Sequence, residues 1–215
     1  EEGANMKVDL IDSMGTDLTV VNAARVSFDK TSSTLDEKDI KLIKYLAKHN
    51  HWSPFSHCFV QFRVKAPIFI ARQLAKHQVG LSWNEVSRRY VDSPPEFYEP
   101  DTWRGKPENV KQGSDGEAKS QYFPNLYLGD VTELALNNYD KMIVQGVAPE
   151  MARMVLPQNM YTEWYWSGSL YAFSRVCQLR LDKSSQAEVQ EIAIKLSAHC
   201  WSLFPHSWDA LLKGV

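Results

Sequence analysis

The stretch Phe59-Val60-Gln61-Phe62-Arg63-Val64-Lys65-Ala66-Pro67 does most to limit what this chain can fold into. Val60, Phe62 and Val64 alternate with Gln61, Arg63 and Lys65, the two-residue period of a strand with one face on a core. Pro67 then sits where a helix tolerates proline, in its first turn, and the run from Ile68 to His77 is predicted to continue as helix. What this strand and helix lead into is polar. Between Ala71 and Tyr90 lie Arg72, Lys76, Arg88 and Arg89, together with His77, Ser82, Ser87, the pair Asn84-Glu85 and Gly80. In a chain whose formal net charge is only -2, that is a local surplus of donors suited to an anionic small molecule. Guanidinium groups offer planar forks to phosphate, and hydroxyls and N–H groups complete the cradle. Gln73 lies one helical turn from Lys76 and His77, so all three can face one ligand. The alternative is an exposed, solvated helix end.

The remaining punctuation is that of an α+β chain. Val8 and Leu10 mark an opening strand, Ser13 to Asp17 a turn, and Asp17 caps a short helix through Arg25. Thr34-Leu35-Asp36-Glu37 reads as a capping box ahead of Ile40, Leu42, Ile43, Leu46 and Ala47, with Asn50 as a left-handed stop. Residues 92–125 hold five prolines and three glycines without periodicity, which predicts an insertion. Asp130 and Glu133 predict the start of a helix that closes at Gly146. Pro149 opens a short helix carrying Arg153, Tyr161 to Trp166 reads as a strand, and Leu170 to Leu181 as a helix. A long helix follows Ser185-Gln186 and is stopped by Pro205. The expectation is a helix-rich single domain with a small antiparallel sheet over residues 6–215, interrupted at about 92–125. Residues 1–5, acidic and polar, are expected to be an added remnant ahead of a start at Met6.

Several function classes are excluded. Hydrophobic residues at 44% and charged residues at 23% rule out wholesale disorder. No apolar run approaches the roughly 20 residues of a membrane span, and a pI near 6.3 argues against a general nucleic-acid surface. Cys58, Cys177 and Cys200 are sparse, odd in number and far apart, which fits a reducing cytoplasm and neither a disulfide framework nor a metal site. There is no G-x-G-x-x-G, no G-x-x-x-x-G-K-[ST] and no G-x-S-x-G, so a nucleotide must be held by side chains.

Three blocks agree in order, spacing and chemistry: His49-Asn50-His51-Trp52-Ser53-Pro54-Phe55-Ser56-His57, Val64-Lys65-Ala66-Pro67-Ile68-Phe69-Ile70-Ala71-Arg72-Gln73 and Asn84-Glu85-Val86-Ser87-Arg88-Arg89-Tyr90. With Asn22-Ala23-Ala24-Arg25-Val26-Ser27-Phe28, Ala152-Arg153-Met154-Val155-Leu156-Pro157, Tyr161-Thr162 and Leu179-Arg180, the chain resembles the flavin-dependent thymidylate synthases from about Val8 to Leu212. The resemblance implies a homotetramer with active sites between subunits, using FAD, dUMP, methylene-tetrahydrofolate and NADPH, in the cytoplasm or, for a viral source, the host's. It implies reductive methylation of dUMP to dTMP. Gln73, Ser87, Arg89 and Arg153 match phosphate-side contacts to dUMP, with Lys76, Glu85 and Arg88 in the same nucleotide set. Arg180 matches the arginine that meets the uracil ring and favours its ionised form, which makes it the catalytic candidate. For FAD the matching positions are His51, Ser53, Lys76, His77, Gln78, Glu85, Ser169, Tyr171 and Arg175.

The chain departs from the family's Arg-His-Arg triplet followed, after seven residues, by serine. Lys76-His77-Gln78 stands in its place, and eight residues separate Gln78 from Ser87. Lysine loses a bidentate fork and glutamine a charge, while Arg175 can resupply one cation. The altered triplet keeps two other readings open. One is a flavin-dependent enzyme making hydroxymethyl-dUMP or methyl-dCMP, and the other a nucleotide-binding homologue without turnover.

Overall fold

The computed structural model describes residues 5–91, 93–109 and 112–213. The expected remnant's residues 1–4 and Asp92, the first residue of the expected insertion, lie outside them. The elements run β1 (Lys7–Met14), α1 (Asp17–Arg25), α2 (Glu37–Lys48), β2 (Phe59–Pro67), α3 (Ile68–Leu74), β3 (Leu81–Glu85), β4 (Arg104–Gly105), β5 (Asp115–Glu117), α4 (Tyr122–Val144), α5 (Pro149–Ala152), β6 (Tyr161–Ser169), α6 (Leu170–Arg180), α7 (Ala187–Leu203) and α8 (Pro205–Leu212). This is a helix-rich α+β fold with a small antiparallel sheet of order β1-β2-β6-β3. The chain divides into two compact units. The first takes the N-terminal residues through Met6, Lys65–Gln73 and Glu85–Trp164; the second takes the rest.

In the second unit the alternation in β2 does what its pattern predicts: Val60, Phe62 and Val64 are buried and Arg63 is exposed. Phe62 meets Phe173 edge-on at 5.1 Å, Phe173 meets Trp166 at 5.3 Å, and Trp166 meets Trp83 at 5.4 Å. Such edge-to-face rings add about 0.5–1.5 kcal/mol per pair beyond the area they bury. In α7, Val189, Ile192, Ala193, Leu196 and Cys200 are buried at the spacing of one apolar helical stripe. Asp17 is buried and accepts the N–H groups of His206 (3.0 Å) and Ser207 (2.9 Å), which caps α8 from the far end of the sequence. Pro205 therefore opens α8 besides ending α7, because its missing N–H costs nothing in a first turn.

Several helix boundaries differ from expectation. Asp17, expected to cap α1, is its first residue, and the N-cap is Thr16. The N-cap of α2 is Asp36, not Thr34: Asp39 N–H donates to Asp36 Oδ1 and Asp36 N–H to Asp39 Oδ2, both at 2.9 Å, so the carboxylate pair forms the reciprocal box. Asn50 does take the left-handed conformation, with φ 56°. α3 ends at Leu74 rather than His77, and His77 N–H donates to the Leu74 carbonyl in the closing turn at 3.0 Å. Beyond it Gly80 has φ +75°, and a Cβ on Gly168 would drive into the Gly80 carbonyl oxygen.

In the first unit the Pro-rich stretch is built into the fold. Tyr161 N–H donates to Glu96 O (2.8 Å) and Tyr98 N–H to Asn159 O (2.8 Å), while Lys65 Nζ pairs with Glu96 at 2.7 Å. β4 and β5 pair antiparallel. Gln121 clips Trp103, accepting its N–H at 2.7 Å and donating to its carbonyl at 2.9 Å. The helix expected to start at Asp130 starts at Tyr122, so Asp130 and Glu133 lie inside α4 and cap nothing.

Candidate active site

The segment Lys76 to Val79 and the helix α6 line one cleft of the second unit, about 490 Å³ in volume, with Leu81, Ala172, Arg175, Gln178 and Leu179. The turn after α3 brings His77 there, and α6 brings Arg175 and Arg180 to its last two turns. Arg180 Nε donates to His77 Nε2 at 3.0 Å. An Nε2 that accepts carries no proton, so His77 is the neutral tautomer protonated at Nδ1. Burial, then the charges of Arg180 and Arg175, hold its pKa below the ordinary histidine value. Burial also lowers the pKa of Arg180. Lys76 and Arg175 are exposed and have no ion-pair partner among the described residues.

Other expected residues of this unit line a second cleft of about 380 Å³: His51 and Ser53, with Ala23, Ala24, Ser27, Leu46, Asn50, Trp52 and Pro54. The Asn22-to-Phe28 block shapes its wall. Asn22 clasps Ser32 through both amide atoms (3.0 and 2.8 Å), and Arg25 bonds Ser32 and Asp39. Tyr171 lies against Trp52 at 5.8 Å. Ser169 is buried and its Oγ accepts the Ala172 N–H at 3.1 Å as the N-cap of α6.

The first unit carries the phosphate candidates. Ser87 to Tyr90 form a turn, with Tyr90 N–H on Ser87 O at 3.0 Å and Arg89 N–H on Ser87 Oγ at 3.3 Å. Arg88 reaches the Ser93 carbonyl. Arg89 Nε stands 3.8 Å from Glu150 and its guanidinium lies over Tyr90. Arg153 Nε donates to the Glu150 backbone carbonyl at 3.1 Å. Gln73 lies in the last turn of α3 and Glu85 ends β3.

A profile of the family described as thymidylate synthase complementing protein matches residues 9–206. A flavin-dependent thymidylate synthase of Thermus thermophilus is 41% identical over 212 residues, 97% of this chain and 77% of that protein. The Thermosipho africanus enzyme of the same name is 40% identical over 95% of this chain and 90% of its own length. The chain belongs to the flavin-dependent thymidylate synthase family. A solved structure of PolB from Streptomyces cacaoi, a UMP/dUMP methylase bound with 5-Br dUMP, matches with TM-score 0.88 and 31% identity, over 97% of this chain and 95% of that one.

As a flavin-dependent thymidylate synthase the chain is a FAD-using methyltransferase. Its donor set suits such a cofactor. Lys76 and Arg175 present two cations, and the cleft's lining among the described residues holds no Asp or Glu, which matches the charge of a pyrophosphate. Its thiols have no nucleophilic part: Cys58, Cys177 and Cys200 are buried, and burial pushes Cys58 up to about 12 and the other two upward as well. Among the described residues no group of three His, Cys, Asp or Glu could hold a metal, and no helix is long and apolar enough to cross a membrane. Sequence reasoning passed over Glu150 and Trp52. Glu150, three residues before Arg153, was legible as a same-face neighbour. Trp52 left no such signal, because its contact with Tyr171 depends on tertiary packing.

Proposed function

We propose that this chain converts dUMP to dTMP by reductive methylation, taking the carbon from methylene-tetrahydrofolate and the reducing equivalents from NADPH. The observation that supports it best is Arg180, half-buried on α6 and hydrogen-bonded to the histidine of the altered triplet. In this reading Arg180 faces a uracil carbonyl and stabilises the negative charge that develops on the ring, so carbon 5 can accept the one-carbon unit without an enzyme nucleophile. Arg89, Arg153, Ser87, Gln73, Arg88 and Lys76 hold the phosphate dianion, and Glu85 lies between nucleotide and flavin. His51, Ser53, Lys76, His77, Gln78, Ser169, Tyr171 and Arg175 hold FAD, with Arg175 restoring a cation that Gln78 lacks. When bound, the flavin supplies the hydride chemistry. A homotetramer whose sites form between subunits, working in the cytoplasm or in a virus's host cell, completes the reading; the three unpaired, buried cysteines fit such a compartment.

The test is to purify the protein, record its visible spectrum before and after adding dUMP, and identify the product by mass spectrometry. A yellow protein that makes dTMP from dUMP with NADPH and folate is expected, with UMP run in parallel because the PolB match acts on both. A colourless protein that binds neither FAD nor dUMP by calorimetry sinks the reading.

A further inference from the structure

We propose that the exposed lysine face of α2, made of Lys41, Lys44 and Lys48, binds the anionic γ-glutamyl tail of a polyglutamylated methylene-tetrahydrofolate, so that the long-tailed form is the preferred carbon donor. The inference rests on the reading that a folate supplies the one-carbon unit. It adds which form of the folate is taken and where its tail runs.

Charge is the first support. Lys41, Lys44 and Lys48 recur at the three- and four-residue spacing that puts side chains on one helix face. All three are exposed, and none has an ion-pair partner among the described residues. The acids of this helix stand at its other end, where Asp36 and Asp39 bind each other's N–H groups, Asp39 also pairs with Arg25, and Glu37 lies in the first turn. Of the helices packed against α2, α1 brings only the buried Asp17 and α8 only Asp209, which lines a separate groove with Trp201 and Trp208. The helix dipole favours cations within the last turn, which accounts for Lys48 and not for Lys41.

A path from cleft to lysines is the second support. Tyr45, four residues after Lys41 and next to Lys44, is 53% exposed. Its ring lies 4.3 Å from His49 and 5.9 Å from His51. His51 lines the cleft of about 380 Å³, as do Leu46 and Asn50 of the same segment. The three rings therefore make a shelf that leads from the cleft to the lysine face.

A folate has the matching shape. Its methylene carbon must reach flavin and uracil together, so the pteridine end lies inside the site and the tail leads outward. Each γ-linked glutamate adds one free carboxylate, and Lys41 to Lys48 span about 10 Å of helix, room for several such charges.

The experiment measures, by calorimetry, the affinity of FAD-loaded, dUMP-bound protein for monoglutamyl and pentaglutamyl methylene-tetrahydrofolate, with the flavin oxidised and NADPH left out. Wild type is expected to bind the pentaglutamyl form about tenfold more tightly, the size of three exposed ion pairs acting together. That preference should shrink at about 0.5 M salt. A variant carrying Lys41→Gln, Lys44→Gln and Lys48→Gln is expected to bind the monoglutamyl form like wild type and to lose the preference. Its melting temperature should stay near wild type, because the three side chains are exposed and glutamine is a good helix former.

Equal affinity for the two forms in wild type overturns the proposal, and that comparison needs no variant. A preference that survives in the triple variant also overturns it, since the tail would then be held elsewhere. If the lysine-dependent preference is found but no dTMP is made once NADPH is added, the tail site stands and the reading of the reaction fails. If dTMP is made with no preference for either tail, the reading stands and the tail site fails.

Discussion

The cleft beside α6 and the arginine turn at residues 87–90 contain similar side chains under opposite conditions. Lys76 and Arg175 line the cleft without an ion-pair partner among the described residues, and Arg180, next to the lining residue Leu179, is half-buried with its Nε donating to the lining residue His77. In the turn, Arg89 stands 3.8 Å from Glu150 with both side chains more than half exposed, at 51% and 57%. Water screens such an exposed pair to about 0–1 kcal/mol, so a phosphate dianion displaces it readily. Solvent screens a half-buried cation such as Arg180 less. The difference teaches where each kind of work belongs: a directed charge beside the cleft can act on a reaction barrier, whereas exposed, partnered arginines set affinity and respond to salt.

The largest expected effect tests the first half of that contrast. Arg180→Ala should lower kcat by about 10²- to 10³-fold, the loss typical of one directed donor at a developing charge. Flavin absorbance should remain, because the residues proposed to hold FAD are untouched. A kcat unchanged in this variant would mean the cleft merely binds. Gly168→Ala comes next. A Cβ there would collide with the Gly80 carbonyl oxygen and the Leu81 side chain, so a destabilisation of about 1–3 kcal/mol is expected in thermal unfolding. An unchanged melting temperature would show that the loop carrying the cleft is loosely held and that the cleft is not prebuilt.

Local chemistry was read well from the sequence, and distant pairing was not. The period of Val60, Phe62 and Val64 fixed a buried strand face, and Asn50 announced its left-handed stop, because both signals lie within a few residues. The cap of α8 by Asp17 could not be read, since helix start and capping carboxylate stand at opposite ends of the chain. The prolines of residues 92–125 masked order for the same reason: Glu96 and Tyr98 are held by Tyr161 and Asn159, which no local pattern reveals. At the site, the residue types were legible through resemblance. The bond between His77 and Arg180 was not, because it depends on α3 ending one turn early and presenting Nε2 toward α6. Ser169 shows the converse: a residue matched to a cofactor position is also the N-cap of α6, a duty that its place just before Leu170 would have suggested.

The smallest expected effect tests the arginine turn. Glu150→Gln removes the carboxylate that faces Arg89 and leaves Arg153 in place, because Arg153 donates to the backbone carbonyl of residue 150 and not to its side chain. If Glu150 only competes with the substrate phosphate for Arg89, the variant should bind dUMP about two- to fivefold more tightly in dilute buffer, a gain within the range of an exposed ion pair. That gain should shrink at about 0.5 M salt, where charges more than a few ångströms apart are screened. The melting temperature should stay close to wild type, since neither side chain is buried. Weaker binding at both salt concentrations would give the opposite answer. It would mean that Glu150 orients Arg89 toward the phosphate, and the turn would then be as preorganised as the cleft.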